Sequence, residues 1–220
     1  EQTEEERTKS FEKAKLKSLQ FLYYLQTNLG FNTHGLSEGV FPTSDNFPLI
    51  PYHRESRRIR GYTTLTVNDV AQPYEQSMPL YRTGIAVGDY PVDHHHASHP
   101  NAAQLPELHF YPVPSYSVPM GCLIPINTDN FIVAEKSISV TNITNGTTRL
   151  QPVVLQIGQA AGVMAALSIQ EDISPAKLGV RKVQTQLLNA GGYLLPYLDV
   201  PKNHPRFKVY QRIGATGILK

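Results

Sequence analysis

The sequence holds a single cysteine, Cys122, among 220 residues. That excludes an internal disulfide framework and fits poorly with a structural zinc site, so Cys122 reads as a small buried apolar residue. Charge of one sign is also scarce. The 20 basic residues stand against 18 acidic ones, a net charge of +2, and a field that weak argues for neither nucleic acid nor an anionic membrane as partner. No repeat or low-complexity tract is present. A run of about 18 apolar residues is missing as well, so no membrane span is expected. The chain opens at Glu1, inside what reads as a solvent-exposed helix, with neither methionine nor signal peptide, and is therefore expected to be a piece of a longer protein. Its length suffices to bury a substantial core in one large domain or two small ones.

What is present begins with a helix. Thr3-x-x-Glu6 is a capping box, and Phe11, Ala14, Ser18, Leu22, Leu25 and Leu29 recur at helical spacing until Gly30. Residues 31 to 51 mix Gly35, Gly39, Pro42, Pro48 and Pro51 with polar side chains and read as linker or loop. Strand-like alternation follows from Arg57 to Val70 and again from Leu80 to Val87. Residues 89 to 119 carry six prolines, a density no element interior tolerates, so a long excursion is expected there. Phe131-Ile132-Val133-Ala134 has the wholly apolar character of a strand buried on both faces. Ser174-Pro175 opens an amphipathic helix through Val180, Val183, Leu187 and Leu188, stopped by Gly191.

The most informative stretch is Thr147-Thr148-Arg149-Leu150-Gln151-Pro152, running into Gly158-Gln159-Ala160-Ala161-Gly162-Val163-Met164-Ala165. Thr147 or Thr148 can cap a helix, Pro152 suits its first turn, and the free amides of that turn favour negative charge. The small residues Gly158, Ala161, Gly162 and Ala165 would let the helix lie close on its neighbours, against a helix-propensity cost of roughly 1 kcal/mol per glycine. The core is expected around Ile132, Val133, Val154, Ile157, Ala161, Met164 and Ala165, with Leu187 and Leu188 alongside.

Three upstream blocks accompany this helix: Pro51-Tyr52-His53-Arg54-Glu55 through Gly61, Gly84-Ile85-Ala86-Val87-Gly88 through His95, and Val118-Pro119-Met120-Gly121-Cys122 through Pro125 with Asn130 to Ala134. In this order and spacing the four blocks resemble the carboxyl-terminal half of the FAD-dependent oxidoreductase family, whose bacterial members often carry a xanthan lyase label. The resemblance covers roughly residues 5 to 200. It implies an α/β fold: a partial FAD/NAD(P)-binding-type domain, reduced to its C-terminal strand and helices, joined to substrate-domain strands and a long N-terminal helix. The implied division is helix and linker at 1–50, substrate-domain strands and long loop at 51–127, the C-terminal part of the FAD-binding domain at 128–200, and a tail at 201–220.

A family member of this kind should carry Gly-x-Gly-x-x-Gly between a strand and a helix, to hold the pyrophosphate. No such pattern occurs here. Gly30, Gly35 and Gly39 are too widely spaced, and Gly191-Gly192 reads as a helix cap. The resemblance therefore implies FAD as cofactor of the full-length protein, a missing N-terminal dinucleotide-binding half as partner, and an isolated chain that is inactive. The substrate would be a small molecule or a saccharide.

The resemblance also implies site residues. Gly146, Thr147, Arg149, Gln159 and Gly162 match the cofactor-binding pattern, Arg149 lying where its charge would offset a reduced, anionic flavin. Asp93 and His95 match an Asp-x-His pattern near the active site, where a carboxylate-oriented histidine could move a proton. A metal reading of His94, His95, His96 and His99 competes with it, but ligand pairs need defined spacing and a further ligand elsewhere. Arg54 and Arg57 open a strand-like run in which alternate residues face opposite ways, so they contact either substrate or Glu55 in an ion-pair cluster. One departure is visible: where the family usually has Ala-Gly-Arg, this chain has Ala134-Glu135-Lys136. Two other readings remain beside the hydride-transfer enzyme, a non-catalytic module that keeps the fold without cofactor, and a polysaccharide lyase-related protein using His95 and an arginine.

Overall fold

The computed structural model describes residues 2–52, 54, 57–93, 101–104 and 110–218. The chain divides into two compact units, residues 1–53 and 54–220.

The first unit is dominated by α1 (Glu4–Asn28). Its start is the capping box foreseen from sequence: the Glu6 amide donates to Thr3 Oγ1 at 3.2 Å, and the Thr3 amide donates to Glu6 Oε2 at 2.8 Å. No residue of α1 is buried. Lys15 pairs with Asp45, and that bond, with the Phe47 amide, holds the Asp45 carboxyl below the usual carboxylate range.

The second unit is mixed α/β. Its elements are α2 (Val67–Ala71), β1 (Gly84–Gly88), β2 (Tyr116–Pro119), α3 (Asn142–Thr148), α4 (Gln151–Glu171), α5 (Val180–Asn189) and α6 (Phe207–Ala215). β1 and β2 form an antiparallel ribbon, pairing Gly84 with Pro119 and Gly88 with Tyr116. Gly88 is required by this register, because a Cβ there would stand 2.6 Å from the Tyr116 ring.

Two strands rarely persist alone, since each leaves an edge of unpaired amides and carbonyls. Here helix side chains take the outer edge of β1. Gln156 of α4 accepts from the Val87 amide and donates to the Val87 carbonyl, both at 3.1 Å. Gln184 of α5, itself buried, donates to the Gly84 carbonyl at 2.9 Å. On the other strand Ser117 donates to the Leu194 carbonyl at 2.8 Å.

That arrangement corrects two strand expectations. Phe131 to Ala134 forms no strand. Left-handed residues, Asn130 at φ 53° and Glu135 at φ 70°, bracket the run, Phe131 is 51% exposed, and Val133 donates to the Leu123 carbonyl at 2.8 Å without a ladder. The segment Arg57 to Val70 is likewise extended only in part. Gly61 and Leu65 make isolated bridges to Pro125 and Val140, the latter parallel, and α2 begins at Val67. Leu80 to Thr83 is a 3-10 turn, so the expected second strand starts late, at Gly84.

The core gathers Leu65, Ile85, Tyr116, Leu123, Ile138, Ile157, Met164, Leu187 and Leu188, with Cys122 buried among them. Burial pushes the Cys122 thiol up to about 12. α4 packs on β1 and α5 and buries Val153, Ile157, Ala160, Met164 and Leu167. The facing expected for this helix holds for Ile157 and Met164, with Ala161 packed partly against the core, and fails for its glycines and Ala165. Gly158, Gly162 and Ala165 are exposed, and a Cβ at Gly158 or Gly162 would meet nothing within 4 Å. Size alone does not decide the facing, since Ala160 is buried while Leu155 and Ile169 stand outside with the glycines. α4 also has the length and mean hydropathy, 1.6, of a bilayer-crossing helix, which qualifies the expectation that no such stretch exists.

Past α5 the chain reverses at Gly191, φ 79°, whose successor Gly192 donates to the Leu187 carbonyl at 2.8 Å. α6 then packs back, a helix the tail gave no expectation of.

Candidate functional site

Sequence blocks far apart in the chain meet at the elbow between α3 and α4. α3 is capped by Thr141, whose hydroxyl accepts from the Thr144 amide, and it ends at Arg149 as C-cap. Leu150 is extended and holds the N-cap position of α4 without any side-chain cap. Thr147 and Thr148 thus close α3 rather than open α4, contrary to expectation, because the chain needs an extended residue immediately before Gln151. Pro152 does sit in the first turn, and Gln151 and Pro152 are exposed. Pro152 has no amide to offer and the Val153 and Val154 amides both donate to the Leu150 carbonyl at 3.0 Å, so the first turn of α4 is less open to an anion than its missing side-chain cap suggests.

Behind this start lies a buried polar layer. Thr144, Asn145, Thr147 and Thr148 are all buried, as is Arg149 at 6% exposure. The Thr147 hydroxyl donates to the Tyr90 carbonyl and lies 2.8 Å from the Tyr116 phenol, which burial pushes far above its ordinary range. Arg149 Nη2 donates to the Asp93 carbonyl at 2.9 Å and to Asp93 Oδ2 at 3.2 Å. The Asp93 side chain is 15% exposed. A guanidinium this deeply placed needs a carboxylate, since burying either charge alone costs several kcal/mol.

The structure therefore brings together Gly146, Thr147, Arg149 and Asp93. Gln159 and Gly162 lie roughly two and three turns further along α4. Gln159 donates to the Ala190 carbonyl at 3.2 Å, and Gly162 faces outward. Arg54 and Arg57 are exposed and stand on no strand, so the alternation expected of them does not arise. His95 and the other histidines of its run, with Glu55, fall outside the described residues. Among the described residues no group of three His, Cys, Asp or Glu side chains could hold a metal ion. Tyr90 and Tyr116 were not foreseen as part of this layer. Their only sequence signal is proximity to blocks already singled out.

A second feature flanks the elbow on α4's outer side. Leu155 is 74% exposed and Ile169 82% exposed, on the same helix as Gly158 and Gly162. Beside Ile169, a groove of about 1060 Å³ is lined by Tyr62, Asn130, Phe131, Ile132, Ala165 and Ile169, among others.

A family model described as FAD dependent oxidoreductase matches residues 1–187. The chain belongs to that family, and an oxidoreductase role follows in general terms. No curated protein and no solved structure matches it. The residues present fit a flavin in a narrower way than the sequence pattern implied. The bare glycine face of α4 leaves room for a close-lying group, but its first turn does not fit a pyrophosphate, because the Val153 and Val154 amides are already bonded to Leu150. Thr147 does not offer a free hydroxyl, since its oxygen is shared between Tyr90 and Tyr116.

Proposed function

We propose that this chain forms the substrate side and the C-terminal cofactor face of an FAD-dependent oxidoreductase. When bound, FAD would accept hydride from a small-molecule or saccharide substrate. The observation that carries the reading is the buried Arg149–Asp93 pair, which ties Asp93 of the Asp-x-His block to the elbow between α3 and α4. In it Arg149 and Asp93 neutralise each other and fix each other's position at the start of α4. The resemblance assigns proton transfer to His95, two positions beyond Asp93. Arg54 and Arg57, exposed at the entry to the second unit, would attract an anionic or polyhydroxylated substrate.

The outer face of α4 supports the partner reading. Two aliphatic side chains and two bare glycines on one exposed helix face fit close packing by a dinucleotide-binding half. The isolated chain should then purify without stoichiometric FAD, because the amides that grip the pyrophosphate lie on that half. Joined to it, the protein should hold FAD. In that protein Arg149→Ala should loosen FAD, whereas His95→Ala should leave FAD affinity unchanged and slow substrate-dependent reduction by about 100-fold. Equal loss of FAD in both variants would make His95 structural.

A specific observation favours the non-catalytic alternative. Glu135 occupies the position where the family usually has glycine, and its φ of 70° is the conformation glycine adopts without strain. Failure of the joined protein to retain FAD would establish that alternative.

A further inference from the structure

Elsewhere in the second unit a groove of about 1020 Å³ is lined by Tyr74, Glu75, Tyr81, Arg82, Tyr197 and Asp199. Its aromatic side chains are held in place by the fold. Tyr74 and Tyr81 stand 5.7 Å apart with ring planes at 48°, a wedge rather than a stack. The Tyr74 hydroxyl donates to the Ser115 carbonyl at 3.0 Å while the residue stays 52% exposed, so its oxygen is committed and its ring is not. Tyr197 joins them over Gly214 of α6, where a Cβ would collide with the Tyr197 hydroxyl and stand 2.6 Å from Leu195 Cδ1. Desolvation is the first cause that raises the pKa of Tyr74 and of Tyr197. Tyr197 and Tyr81 add to it at Tyr74, and Asp199 and Tyr81 add to it at Tyr197, as close neighbours would.

The charges of the lining do not balance. Glu75 and Asp199 stand against Arg82, two carboxylates to one guanidinium, and all three residues are exposed. Among the described residues no ion pair joins Arg82 to either carboxylate. The Arg82 stem is seated on Gly217, at φ 76°, where a Cβ would stand 3.2 Å from Arg82 Cδ. Its carbonyl is held by Gln184 Nε2 at 3.2 Å and by Arg181 Nη1 at 3.0 Å. An excess of carboxylate beside tyrosine faces, which are themselves the negative side of the ring quadrupole, attracts cations and repels phosphates.

We propose that this groove binds an organic cation by a methylated ammonium head, set against the tyrosine faces with Glu75 and Asp199 answering its charge. Such a head has no N–H to donate, so ring faces and net charge recognise it without hydrogen bonds at fixed positions. The committed hydroxyl of Tyr74 therefore costs the site nothing. Glu75 and Asp199, both exposed, act on the head as charges and need not touch it. Tyr197, Asp199, Gly214 and Gly217 all lie beyond residue 187, where the family match ends, so family membership does not imply the site.

The test is titration of the chain, followed by NMR at low salt, with choline and with the uncharged isostere in which a tert-butyl group replaces trimethylammonium. Choline should bind saturably and the isostere about tenfold more weakly or worse, because the two share a shape and differ in charge. Asp199→Asn and Glu75→Gln, both exposed changes that should leave the fold intact, should each weaken choline about threefold. Arg82→Gln should tighten it by a similar factor, since it removes the like charge from the lining. Tyr74→Leu, with its fold checked by circular dichroism, should weaken choline about fivefold. The proposal is overturned if the folded chain shows no saturable choline binding, if the isostere binds as tightly, if neither carboxylate change weakens choline, or if Arg82→Gln fails to tighten it.

Discussion

Removing Arg149 should destabilise the second unit more than any surface substitution, and the loss should be recoverable by a second change. Arg149 Nη2 makes two bonds to Asp93, one to its carbonyl and one to its carboxylate, with the two side chains 6% and 15% exposed. Arg149→Met keeps much of the aliphatic volume but removes from a largely buried carboxylate the guanidinium bonded to it. Breaking such a pair from one side costs about 3 to 5 kcal/mol. For a unit of this size each kcal/mol lowers Tm by about 2 to 4 °C, so a drop of roughly 6 to 20 °C is expected. Asp93→Asn should cost less, since the carbonyl bond to Arg149 survives. The double variant Arg149→Met with Asp93→Asn removes both charges of the pair and should be more stable than Arg149→Met by about 2 kcal/mol. Urea unfolding followed by circular dichroism, at low and at high salt, gives the three free energies. The coupling should persist in salt, because buried pairs are weakly screened. Additive effects of the two changes, or an Arg149→Met cost below about 0.5 kcal/mol, would refute the pairing as an energetic unit.

Gln211 of α6 is fully buried and bonds the Leu194 amide, the Leu195 amide and the Leu195 carbonyl, each at 2.8 Å. Gln211→Leu should cost about 3 kcal/mol or more in a urea titration, because it strands three buried backbone groups. Gly158→Ala should stabilise the isolated chain by about 0.5 to 1 kcal/mol, since its Cβ enters open space in a helix interior. In thermal melts Gly158→Leu should be tolerated too, which reverses what an inward-facing glycine would give. Cys122 should resist a thiol reagent at mildly alkaline pH in the native state and react fully in denaturant, as its thiol is pushed up to about 12 when folded.

The local signals in the sequence proved easier to read than the pairings. Thr3, Glu6, Pro152 and Gly191 mark helix ends through chemistry confined to a few residues, and each stands where that chemistry puts it. The orientation of α4 was not legible in the same way. Its apolar and small residues follow one another almost without interruption, so periodicity could not say which set turned inward. Phe131 to Ala134 shows the same limit, because a short apolar run reads as a strand whether or not a partner exists. The edge of β1 is equally out of reach of any pattern, since it is taken by Gln156 and Gln184, one residue each from two helices. At the site, Arg149 and Asp93 were both singled out, but for separate roles. That they bond to each other depends on a contact across 56 positions. α6 escaped notice because its amphipathic pattern is short and follows Pro201 and Pro205 closely.

The position of α6 has a practical consequence for how this chain should be cut. The region shared with its relatives ends at residue 187, a natural place to trim an expression clone. Trimming there would remove Leu188, Leu194 and Leu195 from the core, withdraw the carbonyl that receives Ser117 of β2, and discard Gln211 altogether. The stretch that homology leaves out is stitched into the cooperative unit that homology defines. A protein shortened to the shared region should therefore be proteolytically fragile, and its failure in a flavin assay would report a lost fold rather than a lost activity.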